Sequence, residues 1–229
     1  MTYVVSNLYG RLDKFEKLIK KINLKDRDVL YVLGNIVDFG EDSITLVNDL
    51  STRYNVYSVL GEHDYRAYIL LSEFDRILRE GGSPSPSFSR DMIEWAQNGG
   101  QPTLEAFKSA DQDEKEGFLE YLSDLPVFEE AIVGGKDFVL TCRGIADFDK
   151  AKDLYDYDLD CFMNGHLDIE KTYYSDKTMV VGYLDYEHTP QGMGGRVLAK
   201  NNNIALAPDM SENDDVVCVC LESNDIYYV

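Results

Sequence analysis

The 229-residue chain has few cysteines, a shortage of positive charge and no long apolar run, and each shortage closes off a class of protein. Cys142, Cys161, Cys218 and Cys220 are too few and too scattered for a disulfide framework in a chain this size. Lys and Arg number 22 against 42 Asp and Glu, for a formal net charge of −20. A field of that sign repels nucleic-acid backbones and anionic lipid surfaces, so neither is expected as a partner. No stretch of about 18 apolar residues occurs, which argues against a membrane-spanning helix. The opening Met1-Thr2-Tyr3-Val4-Val5 reads as a strand rather than a basic leader, and the cytoplasm is the expected compartment. What is present in normal amount is hydrophobic residues, 44%, enough for the core of a single domain over residues 1–229.

The apolar pattern alternates between two periods. Val4-Val5 and Val29-Leu30-Tyr31-Val32-Leu33 are short runs suited to buried strands, and Val56-Tyr57-Ser58-Val59-Leu60 is a third. Between the first two, Leu12, Phe15, Leu18, Ile19 and Ile22 recur on one helical face, and Ile44 to Leu50 predicts a second helix. Strand, helix, strand in this order implies parallel pairing with right-handed crossovers. From Tyr65 to about Leu125 the pattern is helical and polar, broken by the Gly81–Ser87 loop with its two Ser-Pro pairs. Strand-like runs return at Asp137–Leu140, Thr178–Val181, Ile204–Leu206, Val216–Cys220 and Ile226–Val229. No internal repeat or linker is evident.

Three short segments follow the first three strands: Ser6-Asn7-Leu8-Tyr9-Gly10, Gly34-Asn35-Ile36-Val37-Asp38-Phe39-Gly40 and Gly61-Glu62-His63-Asp64. They resemble the D-x-H-G, G-D-x-V-D-R-G and G-N-H-D motifs of the calcineurin-like phosphoesterases. The closest likeness is to the branch with protein serine/threonine phosphatases and diadenosine tetraphosphatases. Trp95, Asn98-Gly99-Gly100 and Thr103-Leu104 are similar to the helical insertion, here about 65–125, that this branch carries beside its site. The resemblance implies a four-layer α/β/β/α sandwich and, in the family, two divalent metals such as manganese, iron or zinc.

The residues expected to hold those metals are replaced. Asn7 and Tyr9 stand for the Asp and His of the first motif, Asn35 for the bridging Asp, and Glu62 for the Asn of the third. Cys142, in Thr141-Cys142-Arg143-Gly144, stands for a His, and Tyr183 for the last His. Glu187-His188-Thr189-Pro190 offers His188 as an alternative to Tyr183. Phe39 replaces the Arg that grips phosphate in the family, and His166 falls where a second Arg is expected. Two divalent cations roughly 4 Å apart repel by about 15–20 kcal/mol at an effective dielectric of about 20. Bridging carboxylates offset that repulsion, whereas Asn7 and Asn35 keep the carboxylate shape without the charge. Phenols such as Tyr9 and Tyr183 stay protonated near neutral pH.

His63 and Asp38 match the family's general-acid pair, and Asp64 is retained. Without activated water they are expected to be vestigial and to hold turns by hydrogen bonding. No cofactor is expected. The leading expectation is a catalytically inactive pseudophosphatase that binds a protein partner, which could be a phosphoprotein. One alternative is a metal-dependent phosphoric ester hydrolase with a single altered site at Glu62, Cys142 and His188. The other is a small-molecule sensor whose Tyr9, Phe39 and Tyr183 stack a base. Arg143 is open to two readings, an anion ligand or a surface ion pair.

Overall fold

The computed structural model describes residues 1–184, 196–206 and 215–229. The chain begins as two parallel βα crossovers. Strand β1 (Thr2–Val5) leads through helix α1 (Leu12–Ile22) to β2 (Val29–Leu33), then through α2 (Ser43–Ser51) to β3 (Val56–Val59). β1 pairs in parallel with β2, Thr2 opposite Val29, and β2 with β3, Leu30 opposite Val56. Helix α1 forms where the sequence placed it because Phe15, Leu18 and Ile22 fall on one buried face. Asn23 ends it in the left-handed conformation, a backbone state that asparagine tolerates.

Four helices then follow in succession: α3 (Glu62–Glu80), α4 (Pro86–Trp95), α5 (Gln101–Ser109) and α6 (Gln112–Asp124). A wide turn at Ala96–Gly100, with Gly99 at φ 106°, kinks α4 into α5. Only the first part of the Gly81–Ser87 loop lies outside helices, because Ser85 caps α4 by accepting a bond from the Phe88 N–H and Pro86 opens it.

The second half adds β4 (Phe128–Val133), β5 (Lys136–Thr141), the short helix α7 (Leu159–Met163) and β6 (Lys177–Val181). It continues with β7 (Val197–Lys200), β8 (Asn203–Leu206), β9 (Val217–Cys220) and β10 (Ile226–Tyr228). Two five-stranded sheets result, ordered β10-β9-β1-β2-β3 and β4-β5-β6-β8-β7. Their facing sides interlock through Val4, Leu33, Val59 and Val219 from one sheet and Phe138, Leu140, Val180 and Leu206 from the other. Tyr3, Val5, Leu30 and Val32 bury the outer face of the first sheet under α1, α2 and α3. Val139, Met179 and Val181 do the same for the second beneath Leu154, Phe162, Met163 and Leu167. This is the expected α/β/β/α sandwich. Its fourth layer is thin, since α7 and a single turn at Leu154–Asp156 are its helices among the described residues. Among the described residues, no helix is long and apolar enough to cross a membrane.

Two strands escaped the sequence reading. β4 carries Glu129 and Glu130 at its centre and forms a sheet edge, so it lacks a continuous apolar run. A usable signal did exist: Gly134-Gly135, both at positive φ, make the two-residue hairpin joining β4 to β5. β7 is likewise an edge strand with two exposed residues.

Candidate functional site

The loops that follow β1, β2, β3, β5 and β6 converge, as expected for ligand sites at the carboxyl ends of parallel strands. Backbone bonds stitch them together. Asn7 N–H donates to Gly34 O at 3.2 Å, Tyr9 N–H to Asn35 O at 3.0 Å, and Tyr183 N–H to Cys142 O at 2.8 Å. Ser6 Oγ joins the two sheets by donating to Gly182 O. Several of these residues are held in the left-handed region: Asn7 at φ 57°, Tyr9 at 48°, Asn35 at 54°, Asp38 at 77° and Phe39 at 57°. Asn and Asp tolerate this state, whereas Tyr9 and Phe39 carry strain of about 1–3 kcal/mol each. Gly34 (φ 74°) admits no side chain, because a Cβ there would meet Cys142 Sγ at 2.7 Å.

Where the resemblance calls for a first metal, the two amides bond to each other. Asn35 Nδ2 donates to Asn7 Oδ1 at 2.9 Å and lies 3.5 Å from Tyr9 OH. Asn7 Nδ2 donates to Gly182 O at 2.9 Å and Ser6 Oγ at 3.0 Å. The side-chain oxygen of Asn7 therefore already accepts a hydrogen bond. Burial pushes the Tyr9 phenol far above its ordinary pKa, with the nearby Tyr183 and Cys142 adding to the rise, so Tyr9 is a neutral donor.

Glu62, which stands where the family has a ligand to the second metal, is engaged by a cation of the chain itself. Arg143 Nη1 donates to Glu62 Oε2 at 2.6 Å, and its guanidinium lies 5.2 Å from the centre of the Tyr183 ring. Its side chain is 13% exposed and that of Glu62 54%, so of the two readings the sequence left open for Arg143 the structure shows the ion pair, at the rim of the site. Cys142 is buried, and burial holds its thiol well above the range in which a thiolate forms. Of the proposed single-metal set, Glu62 is engaged by Arg143, Cys142 is a thiol, and His188 lies outside the described residues. The donor set does not fit the pair of cations that the family uses, and among the described residues no three His, Cys, Asp or Glu side chains cluster as alternative ligands.

His63 and Asp38 do meet. His63 Nδ1 lies 2.7 Å from Asp38 Oδ2, and the same oxygen accepts the Trp95 Nε1–H at 2.9 Å. The Asp38 N–H donates to Thr103 Oγ1 at 2.9 Å, and Asp38 Oδ1 is buried with no hydrogen-bonding partner. Burial works against a positive imidazole, but the bond to Asp38 and the charges of Asp38, Asp64 and Glu62 outweigh it, so the His63 pKa is raised. Tyr9, Phe39 and His63 form a mutually touching trio, with ring centres 5.0–5.5 Å apart. Tyr183 packs under Arg143 and not in this trio, which differs from the three-ring base-stacking pocket expected from the sequence.

Asp64 is fully buried and organises the loops. Its Oδ1 accepts from Ile36 N–H at 2.7 Å and Val37 N–H at 3.1 Å, and its Oδ2 from Gly61 N–H at 2.9 Å. Burial lifts its pKa to about 6 despite those three bonds. His166 is exposed and lines a groove with Asn164, Lys171 and Tyr173. Arg11 was missed in the sequence, although it directly follows the first motif. It donates to Asn7 O at 2.7 Å and Leu8 O at 3.0 Å and lies 5.7 Å from the Tyr9 ring centre. Ser6 and Trp95 gain their roles only from contacts made across the fold.

Residues 2–206 match the family profile of the calcineurin-like phosphoesterases. A symmetrical bis(5'-nucleosyl)-tetraphosphatase from Acidovorax sp. (strain JS42) is 29% identical over 145 residues, which is 62% of this chain. That match spans 43% of the relative's length, so the chain corresponds to less than half of it. A crystal structure provisionally assigned as a diadenosine tetraphosphatase superposes with a TM-score of 0.64 at 17% identity, covering 100% of this chain and 92% of that one. A protein serine/threonine phosphatase from Saccharomyces cerevisiae, similar to human phosphatase PP5, gives 0.57 at 12% identity, covering 99% and 78%.

Proposed function

The chain belongs to the calcineurin-like phosphoesterase family, and we propose that within it this protein is a non-hydrolytic member that works by binding a protein partner. The observation that carries this reading is the double replacement at the centre of the site. Asn7 and Asn35, at positions where the family has Asp ligands, bond to each other, and Glu62, at the position of another ligand, bonds Arg143. Neutral amides do not offset the repulsion between two divalent cations, and a guanidinium adds to it. The His63–Asp38 pair remains able to hold a proton on Nδ1, but among the described residues no neighbouring group is arranged to activate a water against phosphorus. Its bonds to Asp38 and, through Asp38, to Trp95 tie α3 and α4 to the β2 loop, which supports a structural role.

The competing reading is a hydrolase of phosphate esters. It draws support from the relative named for tetraphosphate hydrolysis and none from the donor set. The two readings predict different kinetics. Under the proposal, p-nitrophenyl phosphate and diadenosine tetraphosphate show no turnover above buffer in manganese, and His63→Ala leaves that background unchanged. Turnover that falls by the 10²–10⁴-fold usual for loss of a general acid would establish the hydrolase instead.

A further inference from the structure

We infer that the mouth of this pocket docks a basic segment of the partner protein, with an arginine or lysine side chain laid on the Phe39 ring. The inference rests on the protein-binding reading and deepens it by naming the partner's chemistry. Phe39 is 55% exposed, yet it is not loose. Its N–H donates to Gly99 O at 2.7 Å, and its ring lies so close to Gly99 that a Cβ there would meet ring carbons at 2.6 Å. Tyr9 meets it edge-on at 5.0 Å and His63 at 5.2 Å. Rings this close leave no room for a ligand between them, so the surface on offer is the exposed part of Phe39 itself.

The surrounding charge selects what binds there. Asp38, which precedes Phe39, keeps its buried Oδ1 without a hydrogen-bonding partner, and Glu41 and Asp42 follow Phe39 on the exposed surface. Of the two guanidinium groups, Arg143 is tied to Glu62, and Arg11 donates to the carbonyls of Asn7 and Leu8. The residues present do not hold the divalent cations that would make such a pocket attractive to phosphate, and the molecule's charge of −20 is left unopposed. A phosphate group is repelled by this field and a guanidinium is drawn to it. An aromatic face beside carboxylates is the surface a guanidinium binds best.

The test uses the full chain, octa-arginine and a phosphoserine peptide of the same length, in about 0.15 M salt, where the Debye length is about 8 Å. Trp95 is the chain's only tryptophan, and its indole bonds Asp38, so its emission reports on this pocket. Octa-arginine is expected to change Trp95 emission saturably. Phe39→Ala is expected to weaken binding about fivefold, the worth of an exposed cation–π contact, and Phe39→Arg more than tenfold. No saturable change, equal binding by the parent and both variants, or tighter binding of the phosphoserine peptide would each overturn the docking inference. None of those results touches the non-hydrolytic reading, which stands or falls on turnover and bound metal.

Discussion

Asp64→Ala is expected to destabilise the fold by about 4 kcal/mol near pH 4.5, lowering Tm by roughly 10 °C for a chain of this size. The substitution orphans three buried N–H donors at Ile36, Val37 and Gly61, and each such group costs about 1–3 kcal/mol when it is left unpaired. The loss is also expected to depend on pH. Burial raises the Asp64 pKa from 3.8 to about 6, so the folded state binds a proton that the unfolded state has released between those values. Stability contributed by that proton is present at low pH and is lost as the pH rises towards 6. The difference between parent and Asp64→Ala should therefore shrink by about 2 kcal/mol from pH 4.5 to pH 7. Denaturant titrations at both pH values measure it. A difference that grows with pH would mean that the three amides win over burial and that Asp64 is ionised in the fold.

Gly61→Ala is expected to cost at least 3 kcal/mol, on the upper side of the usual ~1–3 kcal/mol for overpacking. The backbone of Gly61 (φ −103°, ψ 170°) is open to any residue, so the cost is not conformational. It is steric: a Cβ would collide with the Asn35 backbone nitrogen and approach Asn35 Oδ1 at 2.7 Å and Asp64 Oδ2 at 2.9 Å. The β2 and β3 loops are pressed together at this point, and neither can retreat without breaking the Asp64 bonds. Gly117→Ala is the control. A Cβ at Gly117, within α6, meets nothing within 4 Å, and helix propensity predicts a gain of about 0.5–1 kcal/mol. Thermal unfolding that ranks Gly61→Ala no worse than Gly117→Ala would remove the claim that these loops are close-packed.

Both effects concern loops whose positions were legible in the sequence and whose bonding was not. β1, α1, β2, α2 and β3 could be read because period-two and period-3.6 apolar patterns alternate cleanly there, and parallel pairing followed from the crossovers. β4 could not be read from its apolar content, because Glu129 and Glu130, one on each face, interrupt the run between Phe128 and Ala131. The thin fourth layer was unreadable for another reason. Phe162 and Met163 sit on a five-residue helix, too short to show a period. At the site, the substituted positions were visible one by one. That Asn7 and Asn35 bond to each other, or that Arg143 pairs with Glu62, 81 residues away, over the Tyr183 ring, depends on distances that only the assembled sandwich sets. Arg143 illustrates the limit well. Its charge was plain in the sequence, and its partners, Glu62 at the start of α3 and the Tyr183 ring after β6, are set by the fold.

Asn7 with Asn35 and Arg143 with Glu62 engage one another at positions where the family carries metal ligands. Calorimetric titration of manganese into chelator-stripped protein, with metal content measured after gel filtration, tests most directly whether the chain still holds metal. No saturable heat and no retained manganese are expected. Two equivalents retained per chain, lost on Asn35→Ala, would contradict that expectation.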